Sequence, residues 1–323
     1  MIDICAVGEI LIDLTQSGLT EQGIPRFDAN PGGAPANLAV AASRLGAKTA
    51  FVGRIGSDGF GDYLRRVLRD NGVDASGLSV DPALRTTLAV VSLDERGERS
   101  FSFYRDPSAD VNLSAAELPA ELLRSCRVLH FGSVSLTAEP ARSATLEAVR
   151  QAKEAGALIS YDPNYRASLW PDETAAVEQM LAPLPLVDIL KVSDEELPLL
   201  TGTDDPLRGS SLLAERGIGL VFVTLGADGA FFRAGALTGR VPGVPVKVGD
   251  TNGAGDTFLG AALSRLVRLE DPLSAGAEAL QDILGYANRA AALTASRRGA
   301  IPAMPTQEEL LRFSEGEGTV GSC

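Results

Sequence analysis

The stretch DTNGAGD, residues 250–256, sets two acids on either side of a glycine loop, and the apolar run FLGAALSRLVRL begins one residue later. In that run Phe258, Leu259, Ala262, Leu263 and Leu266 share one helical face, so the loop is expected to open a helix. Helix N-termini favour anions, because their first N–H groups lack intrahelical partners and the dipole is positive there. Gly253, Ala254 and Gly255 carry little or no side chain, which lets their N–H groups close on an anion. The loop has no lysine, yet Asp256 stands at its mouth. An acid has a use there if something must lose a proton while negative charge builds beside it. Phosphoryl transfer to an alcohol is such a reaction: Asp256 accepts the hydroxyl proton and the loop neutralises the γ-phosphate oxygens. The plainer reading is an ordinary glycine turn followed by an early-turn acid that the dipole favours.

Beyond Gly33, short apolar runs rich in β-branched residues alternate with longer amphipathic segments, the pattern of an α/β fold with a parallel sheet covered by helices. TAFVGRI (49–55), VLHFG (128–132), ALISYDP (157–163), VDILKVS (187–193) and GLVFVTLG (219–226) read as strands. A helix is expected from Pro35 to Leu45, with proline in its first turn and Gly46 beyond its end. Two segments break the rhythm. TTLAVVSLD and RSFSFYRD flank the turn-like ERGE (95–98), which predicts an antiparallel hairpin, and residues 14–31 read as a strand-and-turn excursion. Segments 14–31 and 84–112 are thus expected to form a small β lid on a core made of 1–13, 32–83 and 113–312. MIDICAVGEILIDL reads as one buried strand ending near Asp13, and the polar residues 313–323 read as a disordered tail.

With 323 residues the chain can bury a full core, and its net charge of -13 argues against a basic face for nucleic acid or anionic lipid. No basic leader or membrane-spanning run is legible at the start. Cys5, Cys126 and Cys323 share no metal-ligand or redox spacing, which suits a reduced cytoplasmic setting. An NAD-dependent oxidoreductase would need G-x-G-x-x-G where AVGEILID stands, and the P-loop pattern G-x-x-x-x-G-K-[ST] is absent. His130, in VLHFG, is the sole histidine, which leaves too few ligands for a zinc hydrolase and argues against a serine triad.

Two stretches more than 200 residues apart resemble, in order, the signatures of the PfkB carbohydrate kinases, the ribokinase-like family. GGAPANLAVAASRLG (32–46), followed by Gly56, resembles the sugar-binding signature, and DTNGAGDTF resembles the catalytic one. The resemblance covers nearly the whole chain. It implies a three-layer α/β/α sandwich with a mostly parallel sheet and a β lid, and ATP-dependent phosphorylation of a sugar hydroxyl with Mg2+ on the nucleotide. Asp256 would then be the base and Gly253, Ala254 and Gly255 the anion hole. Asp13, Gly32, Gly33 and Asn37 would serve the sugar, whose hydroxyls need paired acceptors and donors. DPNYR (162–166) sits at a strand's C-terminal end, where such sheets bind ligands, and Arg166 would reach the sugar or the phosphate. Phe103 and Arg105 would touch the substrate as the lid closes. VTLGADG (223–229) matches the loop beside the ATP phosphates and ribose through Thr224, Gly226 and Gly229, and Asn288 would lie near adenine. KVSDEEL (191–197), which begins at Lys191, matches the Asn-x-x-Glu element that acts on magnesium and phosphate; Ser193 replaces the asparagine and Glu196 keeps the acid.

The resemblance also implies a monovalent cation, K+, beside Asp250 and Asn252 and the backbone oxygens of Thr294, Arg297, Gly299 and Ala303. The family usually has a small β-branched residue at position 252. GGAPAN, the lid's FYR, DPNYR followed by SLW, and KVSDEEL look most like bacterial fructokinases, which form fructose 6-phosphate. The nearest rival is 2-keto-3-deoxygluconate kinase, whose substrate carboxylate Arg105 and Arg166 could neutralise. The exposed edge of the lid invites a homodimer. From another class, a non-catalytic sugar or nucleoside sensor could use the same scaffold, but the complete GAGD loop argues against it.

Overall fold

The computed structural model describes residues 1–93 and 99–320. The strands are β1 Ile2–Val7, β2 Leu11–Leu19, β3 Pro25–Gly32, β4 Thr49–Gly56, β5 Asp74–Asp81, β6 Leu88–Leu93, β7 Arg99–Tyr104, β8 Cys126–Gly132, β9 Leu158–Asp162, β10 Ile189–Ser193, β11 Leu220–Thr224, β12 Ala230–Ala234 and β13 Leu237–Val241. The α-helices are α1 Ala34–Arg44, α2 Gly59–Asp70, α3 Ala120–Ser125, α4 Ala141–Glu154, α5 Glu173–Leu181, α6 Glu196–Thr201, α7 Pro206–Ala214, α8 Ala254–Leu266, α9 Ala277–Ala295 and α10 Gln307–Val320.

Nine strands form one sheet in the order β13-β12-β11-β10-β9-β8-β1-β4-β5, parallel from β11 to β5. Its central strands are apolar on both faces. In β11, Leu220 and Phe222 enter one core while Val221 and Val223 enter the other, and in β1 Ile4 is separated in the same way from Cys5 and Val7. This is why the runs read as continuously apolar rather than alternating. Ala148 of α4, Met180 of α5, Leu197 of α6 and Leu213 of α7 close one face. Leu38 of α1, Phe258 of α8, Leu284 of α9 and Leu310 of α10 close the other. The result is the expected three-layer α/β/α sandwich. Strand order runs outward in both directions from β1 and β8, so the carboxyl ends of these strands form the crevice where such sheets bind ligands.

A second sheet of four strands, ordered β3-β2-β6-β7, stands over that crevice. Its β6–β7 pair is the expected antiparallel hairpin, while the ERGE turn lies outside the described residues.

Three expectations need correction. MIDICAVGEILIDL is two strands: Gly8, at φ 148, packs where a side chain would meet Pro35, and the chain turns there from the large sheet into the small one. Asp13 therefore lies inside β2, among lid residues, and not at the end of a core strand. The large sheet also gains an antiparallel hairpin, β12–β13, whose two-residue turn holds Gly235 at φ 56. Finally, the polar segment expected as a tail continues α10 as far as Val320.

Candidate active site

The register of the small sheet selects the residues that face the crevice. Phe103 of β7 pairs with Ala89 of β6, Ala89 with Asp13 of β2, and Asp13 with Asn30 of β3. Cross-strand partners share a face, and Phe103 and Asp13 both line the crevice. Gly32 is required because a Cβ there would overlap Asp13 Oδ2. Gly33, at φ 104, would put a Cβ 2.5 Å from Glu9 O, so only glycine turns the chain into α1 here.

Helices α1 and α8 pack side by side, Gly260 facing Leu38 O across a space with no room for a Cβ. This contact brings together the two motifs. Asn37 Nδ2 donates to Asp256 Oδ2 at 2.9 Å, and Asn164 Nδ2 donates to Oδ1 at 3.0 Å. Asn164 of DPNYR holds φ 48, a left-handed conformation that asparagine tolerates better than most residues. The Asp256 carboxylate is thus fixed from both sides. Its burial nevertheless pushes its pKa above the usual aspartate range, the Asn37 hydrogen bond and the Lys191 and Arg166 charges offsetting this only in part.

Asp256 borders two clefts. The first, of about 430 Å³, is lined by Glu9, Asp13, Gly33, Asn37, Phe103 and Arg166 among others. It is rich in acceptors. Glu9 Oε2 and Asn37 Oδ1 are buried without a hydrogen-bond partner among the described residues. Burial pushes Asp13 up to about 6, although Asn252 Nδ2 donates to it at 3.4 Å. The second cleft, of about 1000 Å³, is lined by Arg166, Lys191, Ser193, Glu196, Gly253 and Gly255 among others. No side chain caps α8, and its N-cap Gly253 is left-handed at φ 76, so N–H groups at its start face this space.

Lys191, in the middle of β10, supplies the cation that the loop itself lacks. A Cβ on Gly255 would lie 3.3 Å from its Nζ. Nζ is 3.0 Å from Asp162 Oδ2, and both side chains are buried. Burial alone would lower the pKa of Lys191, but Asp162 and then Glu196 hold it up at about 12. Burial lifts Asp162 to about 7 against the pull of Lys191. Glu196 would also be raised by burial, but Lys191 and the N–H groups of Ser193 and Tyr165 bring it below the usual range. Each of those N–H groups donates to a Glu196 oxygen at 2.8 Å.

Comparison with known proteins places this geometry. The model of the PfkB family, described as pfkB family carbohydrate kinase, matches residues 1–307. The chain belongs to the PfkB family of carbohydrate kinases. Fructokinase-1 of Oryza sativa subsp. japonica is 46% identical over 316 residues, 97% of each chain. The ATP-bound fructokinase of Xylella fastidiosa is similar with a TM-score of 0.90 at 34% identity, covering 98% of this chain and 99% of that one. A fructokinase double mutant from Vibrio cholerae O395 in a fructose-, ADP- and potassium-bound form is similar with a TM-score of 0.87 at 38% identity, covering 97% and 98%.

Not every expected residue of this PfkB chain sits where the resemblance put it. The Arg105 guanidinium does not line the first cleft: Nε pairs with Asp110 at 2.7 Å, Nη1 reaches Thr137 Oγ1 at 2.6 Å and Nη2 reaches Val134 O at 3.1 Å. The Ala254 N–H is spent on Thr251 O at 3.2 Å, which leaves Gly253 and Gly255 bordering the second cleft. Thr224 lies beside Ser193 in register, and Gly226 follows at φ 56. Gly229, at φ 93, has no room for a Cβ against Val241 O, and Asn288 Nδ2 donates to Val241 O and Pro242 O. These two hold the loop after β13. Asp250 accepts from Asn252 N at 2.7 Å and from Gly299 N at 3.2 Å, which ties the two loops together. The Asn252 side chain turns to Asp13 instead. Thr294 Oγ1 donates to Ala290 O, and Arg297 pairs with Glu309 and reaches Ala303 O at 3.4 Å. Sequence reading assigned no role to Glu9, Asn164 or Asp162.

Proposed function

We propose that this kinase transfers the γ-phosphoryl group of ATP to a hydroxyl of D-fructose, giving fructose 6-phosphate. One observation carries the reading: a single buried carboxylate, Asp256, stands between a cleft of unsatisfied acceptors and a cleft bordered by an ammonium, a guanidinium and a helix N-terminus. A neutral polyol donates its hydroxyls to the first, and a polyphosphate suits the second. Asp256 takes the proton of the attacking hydroxyl. Asn37 and Asn164 aim the carboxylate, and its raised pKa makes it a stronger base than an exposed aspartate. Lys191, Arg166 and the N–H groups of Gly253 and Gly255 stabilise charge on the transferring group. Phe103 and the rest of the small sheet act as a lid that excludes water.

Mg2+ screens the nucleotide's phosphates when bound. Glu196 and Glu195 border the second cleft, and each Glu196 oxygen keeps a lone pair beyond its backbone bond, so this pair would meet the hydrated ion. For K+, the Asp250 carboxylate and the carbonyls of Thr294, Arg297, Gly299 and Ala303 are oxygen donors of the right hardness. The Asn252 side chain is not part of that set, because it serves Asp13.

The acidic rival loses one of its two anchors, Arg105, although Arg166 still lines the first cleft. Arg105 is committed to Asp110, Thr137 and Val134, while Glu9 and Asp13 line the space a substrate carboxylate would need. A panel of fructose, 2-keto-3-deoxygluconate, ribose and adenosine under ATP tests the reading. Fructose is expected to give the highest kcat/KM, and a preference for ketodeoxygluconate overturns it. The kinase is further proposed to work in a reducing cytoplasm, as its free Cys5 and Cys126 suit, and as a homodimer through the lid. On the β2–β3 hairpin Leu19, Ile24 and Phe27 are exposed by 59%, 60% and 44%, which is apolar surface that a second copy would cover. Sedimentation is expected to give a dimer that Ile24→Asp weakens; a wild-type monomer at all concentrations contradicts it.

A further inference from the structure

Glu9 stands where the chain leaves the large sheet for the small one, and it is one of the two acids, with Asp13, that line the first cleft. Its side chain is only 3% exposed. Oε1 accepts from the Ala34 N–H at 3.1 Å, in the first turn of α1, so the carboxyl group is anchored and its direction set. Glu9's own N–H lies close enough to favour the ionised carboxyl, but among the described residues Oε2 makes no hydrogen bond, and the residue lines the first cleft beside Leu11, Phe103 and Val134. A buried carboxylate oxygen in such surroundings is costly to leave unsatisfied, and orphaned buried acceptors are rare in folded proteins. The Arg105 guanidinium lies close enough to lower its pKa, but its three nitrogens are bonded elsewhere. No described side chain completes the pair.

Resting on the fructose reading, we infer that Glu9 is a substrate-binding residue that sets specificity: its Oε2 accepts a hydrogen bond from a sugar hydroxyl other than the one phosphorylated. The reacting hydroxyl must lie against Asp256, whose carboxylate is held by Asn37 and Asn164. Glu9 serves a different part of the same molecule. The ligand it prefers there is a neutral donor, since the oxygen can only accept while ionised and a second carboxylate would repel it. Such a site penalises an analogue that lacks the hydroxyl, because Oε2 is then left buried and unpaired again.

The test is a substrate–variant cycle. Glu9→Gln keeps the volume and the acceptor for Ala34 but turns an amide N–H toward the sugar; Glu9→Ala removes both contacts. Each is assayed beside the wild type with fructose and with its single-deoxy derivatives. With fructose, Glu9→Gln is expected to lower kcat/KM by about 10- to 100-fold, the scale of a hydrogen bond to a charged group. With one deoxy derivative the wild type falls by a similar factor and Glu9→Gln loses nothing further, which marks the hydroxyl Glu9 holds. Equal losses across every derivative would mean a structural role and overturn the inference, as would an unchanged kcat/KM with fructose. If the panel instead selects another sugar, the fructose reading fails alone, and the same cycle on that sugar's deoxy forms decides the role of Glu9.

Discussion

Asp256→Asn is expected to cut kcat by about 10²- to 10⁴-fold, the range for losing a positioned general base, while KM for ATP changes little. The substitution preserves shape and should preserve the fold. Asn37 donates to Oδ2 and its own carbonyl oxygen has no partner, so rotating that amide by half a turn lets it accept from the new NH2 group. Asn164 continues to donate to the remaining oxygen. What is lost is the ability to take a proton as negative charge gathers over Gly253 and Gly255. The pH profile makes the assignment specific. Burial above all raises the pKa of Asp256, so the base becomes protonated, and kcat/KM falls, at a pH above the ordinary aspartate range as the medium is acidified. Glu9, raised by burial to about 7, and Asp13, raised to about 6, share the first cleft, so the wild-type limb belongs to the group. In Asp256→Asn the residual rate keeps only the part owed to Glu9 and Asp13. Stopped-time assays of ADP release with fructose across pH check both claims; equal turnover by the two proteins would falsify the base role.

The parts legible in sequence were those a local rule dictates. Continuous apolar runs reported strands covered on both faces, and the glycines of GGAPAN and DTNGAGD reported places where backbone must turn or come close. The parts that were missed depend on partners remote in the chain. Asp13 looks like a strand-end acid until Gly8 is seen to turn the chain against Pro35. Lys191 meets the catalytic loop only in the folded chain, where its Nζ lies against Gly255, and Arg105 turns from the cleft only because Asp110, Thr137 and Val134 take its three nitrogens. For two omissions a signal was present. The sequence Pro-Asn at 163–164 favours a left-handed asparagine at a strand's end, and Gly235, between the aromatic pair Phe231-Phe232 and Leu237-Thr238, marks the β12–β13 turn. Glu9 gave none beyond being an acid in an apolar stretch.

Lys191→Met carries the second large effect, because one ammonium faces three carboxylates in a buried space. Asp162, Glu196 and Asp256 all act on Lys191, with Asp162 foremost after burial itself. Removing one partner of such a pair costs about 3–5 kcal/mol, since the other charge stays buried and uncompensated. The loss should depend on pH in a definite direction. Lys191 has a folded-state pKa of about 12, above the ordinary lysine value of 10.5, so the stability it contributes is complete below the lower value and disappears as pH rises through the upper. In the variant, Asp162 has lost that cation, and its pKa rises beyond the value of about 7 it holds beside Lys191. A carboxylate whose folded pKa is raised destabilises the protein above that pKa and ceases to do so below its unfolded value. The deficit of Lys191→Met is therefore largest at neutral to mildly alkaline pH and shrinks as the medium is acidified toward the unfolded aspartate range. Urea denaturation of both proteins at about pH 8 and about pH 5 measures the difference on either side of that transition. The same variant is expected to lose about 10²- to 10³-fold in kcat, the scale of removing one preorganised charge from a transferring group. A deficit that stays constant with pH would place Asp162 outside the pair, and an unchanged kcat would remove Lys191 from the transfer while leaving its structural role.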